Sequence, residues 1–432
     1  MPKSHLFVLI VLTLVVCAPL FRPGLYTSPD GENHLVRLAW FSQYLTAGHL
    51  YPRWIAELNH GLGYPIFTFT YPLPYYLASL PVLLGLSLVT AIKITLVAAT
   101  FISAVFSYLW IGKLFPSSIY PLASASLFLF SPYRFTNLYV RLALGEVVWL
   151  ALIPAIFWSL ESRHWRLSAI FLAAAILSHL QLSAVVVVII VAYSLVRRLS
   201  WVWPVVCGLL LSAFFWLPAL ILKQYTFFGV IRQFPPADHL PTIRQLLYSP
   251  WGFGFSHPGL ADGMSFQLGL ANWLVLGLAS MLLLRLSGIQ RLALALCWLT
   301  VGVMTSSPLG LWDWPLLAPI QFPWRLAVIP LLLIPVLLSV VRSKIWLVLI
   351  LLLAIYSNRN HIRTNLPQFV GVSDTSFFQT TTTTATPKEL MPKVYTAGTP
   401  QLFSSSPIII TSTVLSLITA GTMWLWPRFR SV

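Results

Sequence analysis

Apolar runs long enough to cross a bilayer recur from one end of this chain to the other, and that repetition decides its fold class. A helical span needs about 20 mainly apolar residues, roughly 17–25. Such runs, some of them short, lie at 5–21, 90–112, 117–131, 146–161, 166–180, 182–196, 201–221, 268–284, 292–305, 324–341, 345–357 and 407–426. Charged residues make up 8% of the 432, against about 25% in a soluble domain. The expectation is an all-α polytopic membrane protein, a single transmembrane domain over 1–432 with about 11–13 transmembrane helices. Trp and Tyr gather near the ends of apolar runs, as an interfacial belt requires.

The segment PLPYYLASLPVLLGLSL at 72–88 is apolar but holds Pro72, Pro74 and Pro81. An interior proline removes a helix hydrogen bond and kinks the helix. Read as a re-entrant or interfacial segment, with Lys3 in the cytoplasm, it makes the loops at Lys113, Arg163/Arg166, Arg197/Arg198, Arg285/Arg291, Arg342/Lys344 and Arg428/Arg430 all cytoplasmic, as the positive-inside rule demands. Both termini are then cytoplasmic. The extracytoplasmic segments are a first loop region over 22–89, then 132–145, 222–267, 306–323 and 358–406. Nine of the ten acidic residues fall on that outer side, with Glu161 the exception, so chemistry is expected there. The tract QTTTTTATP at 379–387 reads as flexible.

The net charge of +16 comes from scattered Lys and Arg with no basic block, which argues against nucleic acid and leaves cytoplasmic anchoring or capture of an anionic substrate. Cys17, Cys207 and Cys297 lie singly in apolar runs, so neither a disulfide framework nor a zinc site is expected. An uncleaved first span fits better than a signal ending at Cys17, because Val16 is not a small residue. There is no Walker A lysine motif, dinucleotide fingerprint, GxSxG or HExxH.

The stretch SPDGENHLVRLAWF at 28–41 follows the first span directly. Ser28 or Asp30 is placed to cap a helix running over about 31–46. Asp30, His34 and Arg37 then share one face at i, i+4, i+7, with Leu35, Leu38, Ala39 and Leu45 on another. The pattern predicts an amphipathic juxtamembrane helix, apolar side down, its charged groups above the surface. The plainer alternative makes Asp30 an N-cap and Arg37 an interfacial anchor. The run over 47–76 is too polar to span and too aromatic to be a free linker. It reads as an ordered, functional loop in which Arg53 is placed to meet an anion. Other polar groups cluster at span ends on the same side: Arg134, Arg141 and Glu146; His179 and Gln181; His257, Asp262 and Gln267; Gln321, Trp324 and Arg325. Ionisable groups at membrane depth are costly and mark function.

The order of DGENHLVRLAWFSQYLTAGHLYPRW, GLGYPIFTFTYPLPYYL, YVRLALGE and IQFPWR resembles bacterial integral membrane proteins labelled "6-pyruvoyl-tetrahydropterin synthase-related". More distantly it resembles the GT-C superfamily of multi-span glycosyltransferases, YfhO-type proteins included. The pterin label finds no counterpart in a zinc-binding histidine cluster. The GT-C resemblance implies an enzyme of the bacterial plasma membrane. It would take a sugar from a polyprenyl-phosphate donor on the extracytoplasmic face and pass it to a hydroxyl of a glycan, lipid or protein acceptor. It implies an essential acidic residue after the first span, the position of Asp30, with Glu32 as the second member of a spaced pair. Some relatives use a divalent cation (Mg or Mn) and others none. Asp30 would be the base. Arg53, Arg141 and Arg325 are candidates for the phosphate, and His34, Glu146, His179, His257, Asp262, Gln267 and Gln321 for sugar or acceptor. A lipid-linked-sugar flippase and a non-catalytic envelope protein on the same fold are the alternatives. Acidic groups at one interface, rather than at mid-membrane, favour the enzyme over a transporter.

Overall fold

The computed structural model describes every residue except 118, 228–234, 258–261, 307–308, 315–316, 318–319, 380–389 and 426–432. Most of the 379–387 tract, and Arg428 and Arg430, lie outside the described residues.

The chain is a bundle of apolar helices: α1 (Lys3–Cys17), α2 (Gly31–Thr46), α3 (Leu73–Leu83), α4 (Leu88–Leu114), α5 (Ile119–Leu129), α6 (Leu144–Glu161), α7 (Trp165–Ile176), α8 (Leu180–Arg197), α9 (Val202–Leu211), α10 (Ala213–Leu222), α11 (Leu270–Met281), α12 (Gly288–Ser306), α13 (Val328–Leu337), α14 (Lys344–Asn358) and α15 (Pro407–Leu425). Among the described residues, seven helical stretches are long and apolar enough to cross a membrane, or eight if α9 and α10, bent by 67° at Ser212, form one span. The helices α3, α5, α7 and α11 are apolar but shorter. This is an integral membrane protein. All twelve apolar runs of the sequence are helical, but several are too short to cross alone. The eleven residues of α3 reach about 16 Å, half of a ~30 Å hydrocarbon core.

The helix α6 is the hub. It packs along α4 and against α7, and most of its side chains are buried. It carries one carboxylate at each end, Glu146 and Glu161, about 22 Å apart along its axis. Glu161 is a structural brace: Arg197 Nε donates to its Oε1 at 2.8 Å, Nη2 to its Oε2 at 2.9 Å, and the Tyr193 hydroxyl to Oε1 at 2.6 Å. Trp110 Nε1 donates to Tyr193 in turn, at 2.9 Å, so α4, α6 and α8 are pinned at that end. Glu146 marks the other end, where the irregular segments collect.

There a two-residue antiparallel pair, β1 (Leu25–Tyr26) with β2 (Pro367–Gln368), joins the segment after α1 to the one after α14. Segments 51–64 and 245–269 fold locally, with paired backbones at Ile55–Tyr64 and Gly254–Gly263. Cys17, Cys207 and Cys297 are buried free thiols.

Candidate functional site

The helix α2 begins at Gly31 and ends at Thr46, the bounds its sequence pattern predicts, but it does not lie exposed on a surface. His34, Leu35, Leu38 and Ala39 are all buried, and Asp30 and Arg37 are half-buried. The reason is the aromatic collar from 64–76. Phe41 packs edge-on against Phe67 and Tyr76, and the Tyr75 hydroxyl lies 2.8 Å from His34 Nδ1. The polar face of the helix therefore points into protein rather than water. Burial pushes the His34 pKa down to about 3, leaving a neutral imidazole.

Asp30 occupies the N-cap position of α2 without capping it. Ser28 Oγ does that work, accepting from Gly31 N at 3.1 Å. The plain N-cap reading of Asp30 is thereby removed, and its carboxylate is left for other partners. Those that act on it are the guanidiniums of Arg141, Arg325 and Arg37, with the carboxylate of Glu146 beyond. Burial raises its pKa above the ordinary carboxylate value, and the three cations, pulling the other way, do not restore it.

Glu146 is the fixed point of the cluster. Arg141 Nη1 lies 2.8 Å from Glu146 Oε1, Arg325 Nε 3.4 Å and His179 Nε2 3.7 Å. The Tyr133 hydroxyl donates to its Oε2 at 2.9 Å. His179 also starts α8, accepting from Leu182 N on Nδ1 at 3.3 Å. Its ring proton is therefore on Nε2, facing Glu146. Arg141 ends a π-helical turn, Thr136–Arg141, a form that recurs at functional sites. It also donates to Asn137 Oδ1 at 2.9 Å. The next residue, Leu142, sits at φ 54°, and Gln321, four residues before Arg325, at φ 63°. Strained positions of this kind persist where surrounding structure enforces them. Trp324 lies under Arg141, ring centroid 4.9 Å from the guanidinium, and Phe322 lies 4.9 Å from that of Arg325. Phe266 of the 245–269 segment packs on Trp324 at 5.8 Å.

Five of the sequence candidates thus converge: Asp30, Arg141, Glu146, His179 and Arg325. His34 lies beside them on α2. The others go elsewhere. Arg53 is buried, donates to Phe214 O at 2.5 Å and rests over Tyr51. It ties 51–53 to α10, away from the cluster, and keeps a buried Nη1 without a hydrogen-bond partner. Asp262 holds its own loop, accepting from His257 N at 3.0 Å and Gln245 Nε2 at 2.5 Å, while the His257 ring is exposed. Gln267 pairs with His361 Nε2 at 2.9 Å. Gln321 shapes the turn before Arg325, and Glu32, two positions round α2 from Asp30, is not among the charges acting on it. Arg134 turns away from the cluster, its Nε donating to Phe128 O at 3.1 Å. Sequence reasoning gave no role to Tyr133 or Asn137 and placed Arg37 on one face with Asp30 and His34, with anchoring as the plainer alternative. Only Arg37 carried a signal, its shared face with Asp30. Among the described residues no three His, Cys, Asp or Glu side chains gather as a metal-ligand set.

No protein-family model and no curated protein matches the chain. Its fold is similar to that of arabinofuranosyltransferase AftD from mycobacteria, solved by cryo-electron microscopy. The TM-score is 0.54 at 16% sequence identity, over 83% of this chain and 26% of that one. The chain therefore shares the polytopic fold of a membrane glycosyltransferase while spanning about a quarter of its length.

Proposed function

We propose that this chain is a GT-C-type glycosyltransferase that moves a sugar from a polyprenyl-phosphate donor to an acceptor hydroxyl at the extracytoplasmic face of a bacterial plasma membrane. The observation that carries this reading is Asp30: a carboxylate at a helix N-cap that caps nothing and lies in the field of three guanidiniums. The fold shared with AftD, a transferase by its name, supports the reaction class.

Asp30 takes the proton from the acceptor hydroxyl as that oxygen attacks the anomeric carbon. A base whose pKa is raised toward the working pH is the more effective. The sugar–phosphate bond breaks and the phosphate leaves with its electron pair, so negative charge grows there and needs preorganised cations. Arg141 is committed to Glu146 and Asn137, so it sets the field and the geometry. Arg37 keeps a buried Nε without a hydrogen-bond partner, while Arg325 is held by Glu146 through Nε and by Ile320 O through Nη1; Arg37 meets the phosphate and Arg325 adds its charge beside it. Glu146 holds Arg141 and Arg325 in place. A divalent cation next to Asp30 would sit among three like charges, so the residues do not fit one, and the arginines carry the leaving-group charge.

The test is a panel of prenyl-phosphate-linked sugars offered to the purified protein, with release of free prenyl phosphate as the readout. The wild type is expected to release it from at least one member. Asp30→Asn is expected to lose about 10²–10⁴-fold in rate while keeping its melting temperature. Equal release by both proteins, or movement of intact donor across proteoliposomes without bond cleavage, overturns the assignment.

A further inference from the structure

A second feature shares no residue with the cluster around Asp30. An open groove of about 820 Å³ runs between α1 and α4, at the upper end of the range for ligand pockets. Its walls are apolar, with Ile10, Leu14 and Phe21 from one side and Ile94, Val97 and Phe101 from the other. Both walls belong to membrane-crossing helices, so hydrocarbon chains are what the groove meets.

One end is polar and cationic. Lys93 and Arg22 line it, with Ser87, Thr90 and Asp374. The amine of Lys93 gives one hydrogen bond, to Arg22 O at 2.6 Å, leaving two N–H donors. Asp374 caps α4 through Oδ2, which accepts from Leu88 N at 3.0 Å, alongside Ser87, which accepts from Thr90 N. Two cations therefore stand at the mouth of an apolar slot against one carboxylate, which caps a helix N-terminus, and the balance is positive. A basic pocket between membrane helices is the form that takes an anionic lipid head.

We propose that this groove is a binding site for an anionic glycerophospholipid, its phosphate on Lys93 and Arg22 and its chains along α1 and α4. The occupant is a resident lipid rather than the sugar donor. The residues lining the groove include none of the cluster around Asp30, and Leu25 and Tyr26, next in the chain after Gly24 of the groove, are buried with the Tyr26 hydroxyl fixed to Leu138 O, so a head on Lys93 meets none of the residues proposed to act on the donor. The site is independent of the glycosyltransferase reading.

Native mass spectrometry of the full chain in neutral detergent, with phosphatidylglycerol, phosphatidylcholine or undecaprenyl phosphate added, tests this. The wild type is expected to retain phosphatidylglycerol in preference to the other two and to melt higher in its presence. Lys93→Met is expected to lower that retention about fivefold, from a cation worth roughly 1 kcal/mol, and Lys93→Arg to keep it. Ala98→Trp, which fills the slot from its exposed rim, loses retention with Lys93 intact. Equal retention of the phosphatidylglycerol and phosphatidylcholine, or no change in Lys93→Met, refutes the site. Preferred retention of undecaprenyl phosphate refutes the stated occupant.

Discussion

Arg141 and Glu146 form a buried ion pair at 2.8 Å, five residues apart, across the junction between a π-helical turn and the first turn of α6. The pair costs desolvation that its own attraction offsets only with extra hydrogen bonds. Asn137 supplies one to the guanidinium and Tyr133 one to the carboxylate. Removing Glu146 takes away the ion-pair partner of Arg141 and Arg325 and leaves the two cations with Asp30 as their remaining counter-charge. Glu146→Ala is expected to destabilise the protein by about 3–5 kcal/mol, read as a fall in denaturation midpoint in detergent. The double variant Arg141→Met/Glu146→Ala is expected to be less destabilised than Glu146→Ala alone, because it leaves one such cation rather than two. Equal losses would show that the pair is not coupled.

The close fit beneath that pair rests on Gly145. A Cβ there would stand 2.4 Å from the Tyr71 ring and 2.7 Å from Ser178 O, and the second is backbone that does not swing aside. Tyr71 stacks on His179 at 6.0 Å, so displacement passes directly to the residue facing Glu146. Gly145→Ala is expected to cost about 1–3 kcal/mol by overpacking and to lower turnover along with stability. A variant as stable and active as the wild type would show that Tyr71 and the 178–179 turn have room to move.

How much of this was legible beforehand differs between fold and site. The helix over 31–46 is written in local signals, a Ser-Pro-Asp-Gly start and a 3.6-residue apolar period, and the structure begins and ends it there. Which way its polar face points is not local. It depends on the aromatic collar at 64–76, which turns Asp30, His34 and Arg37 inward where the sequence alone suggested water. Likewise Arg134 and Arg141 are equivalent in sequence, seven residues apart, and the π-helical turn between them separates their fates: one under Phe128, the other against Glu146. Arg53 and Gln267 find their partners, Phe214 and His361, across 161 and 94 residues, a pairing no spacing rule carries.

The guanidiniums around Asp30 make a prediction about metals. If Arg37 and Arg325 carry the leaving-group charge, chelation removes nothing the reaction needs. EDTA followed by gel filtration is expected to leave prenyl phosphate release within about twofold, while Arg325→Ala loses roughly 10²–10³-fold, the scale for one preorganised donor. Loss of activity on chelation, restored by Mg or Mn, would replace the arginine account.

The charge arrangement also sets the pH dependence. The base must be ionised, so kcat/KM rises as pH increases through the Asp30 pKa and levels off above it. Because burial raises that pKa, the acidic limb is expected above the ordinary aspartate value of about 3.9. Arg141, Arg325 and Arg37 each lower it and Glu146 raises it. Arg37→Gln therefore moves the limb to higher pH, the direction opposite to removing a negative charge, and weakens prenyl phosphate binding as well. A merely structural Arg37 would lower activity equally at every pH and leave the limb where it was. The paired measurement, a kcat/KM profile and a binding isotherm for prenyl phosphate in the wild type and Arg37→Gln, separates the two roles.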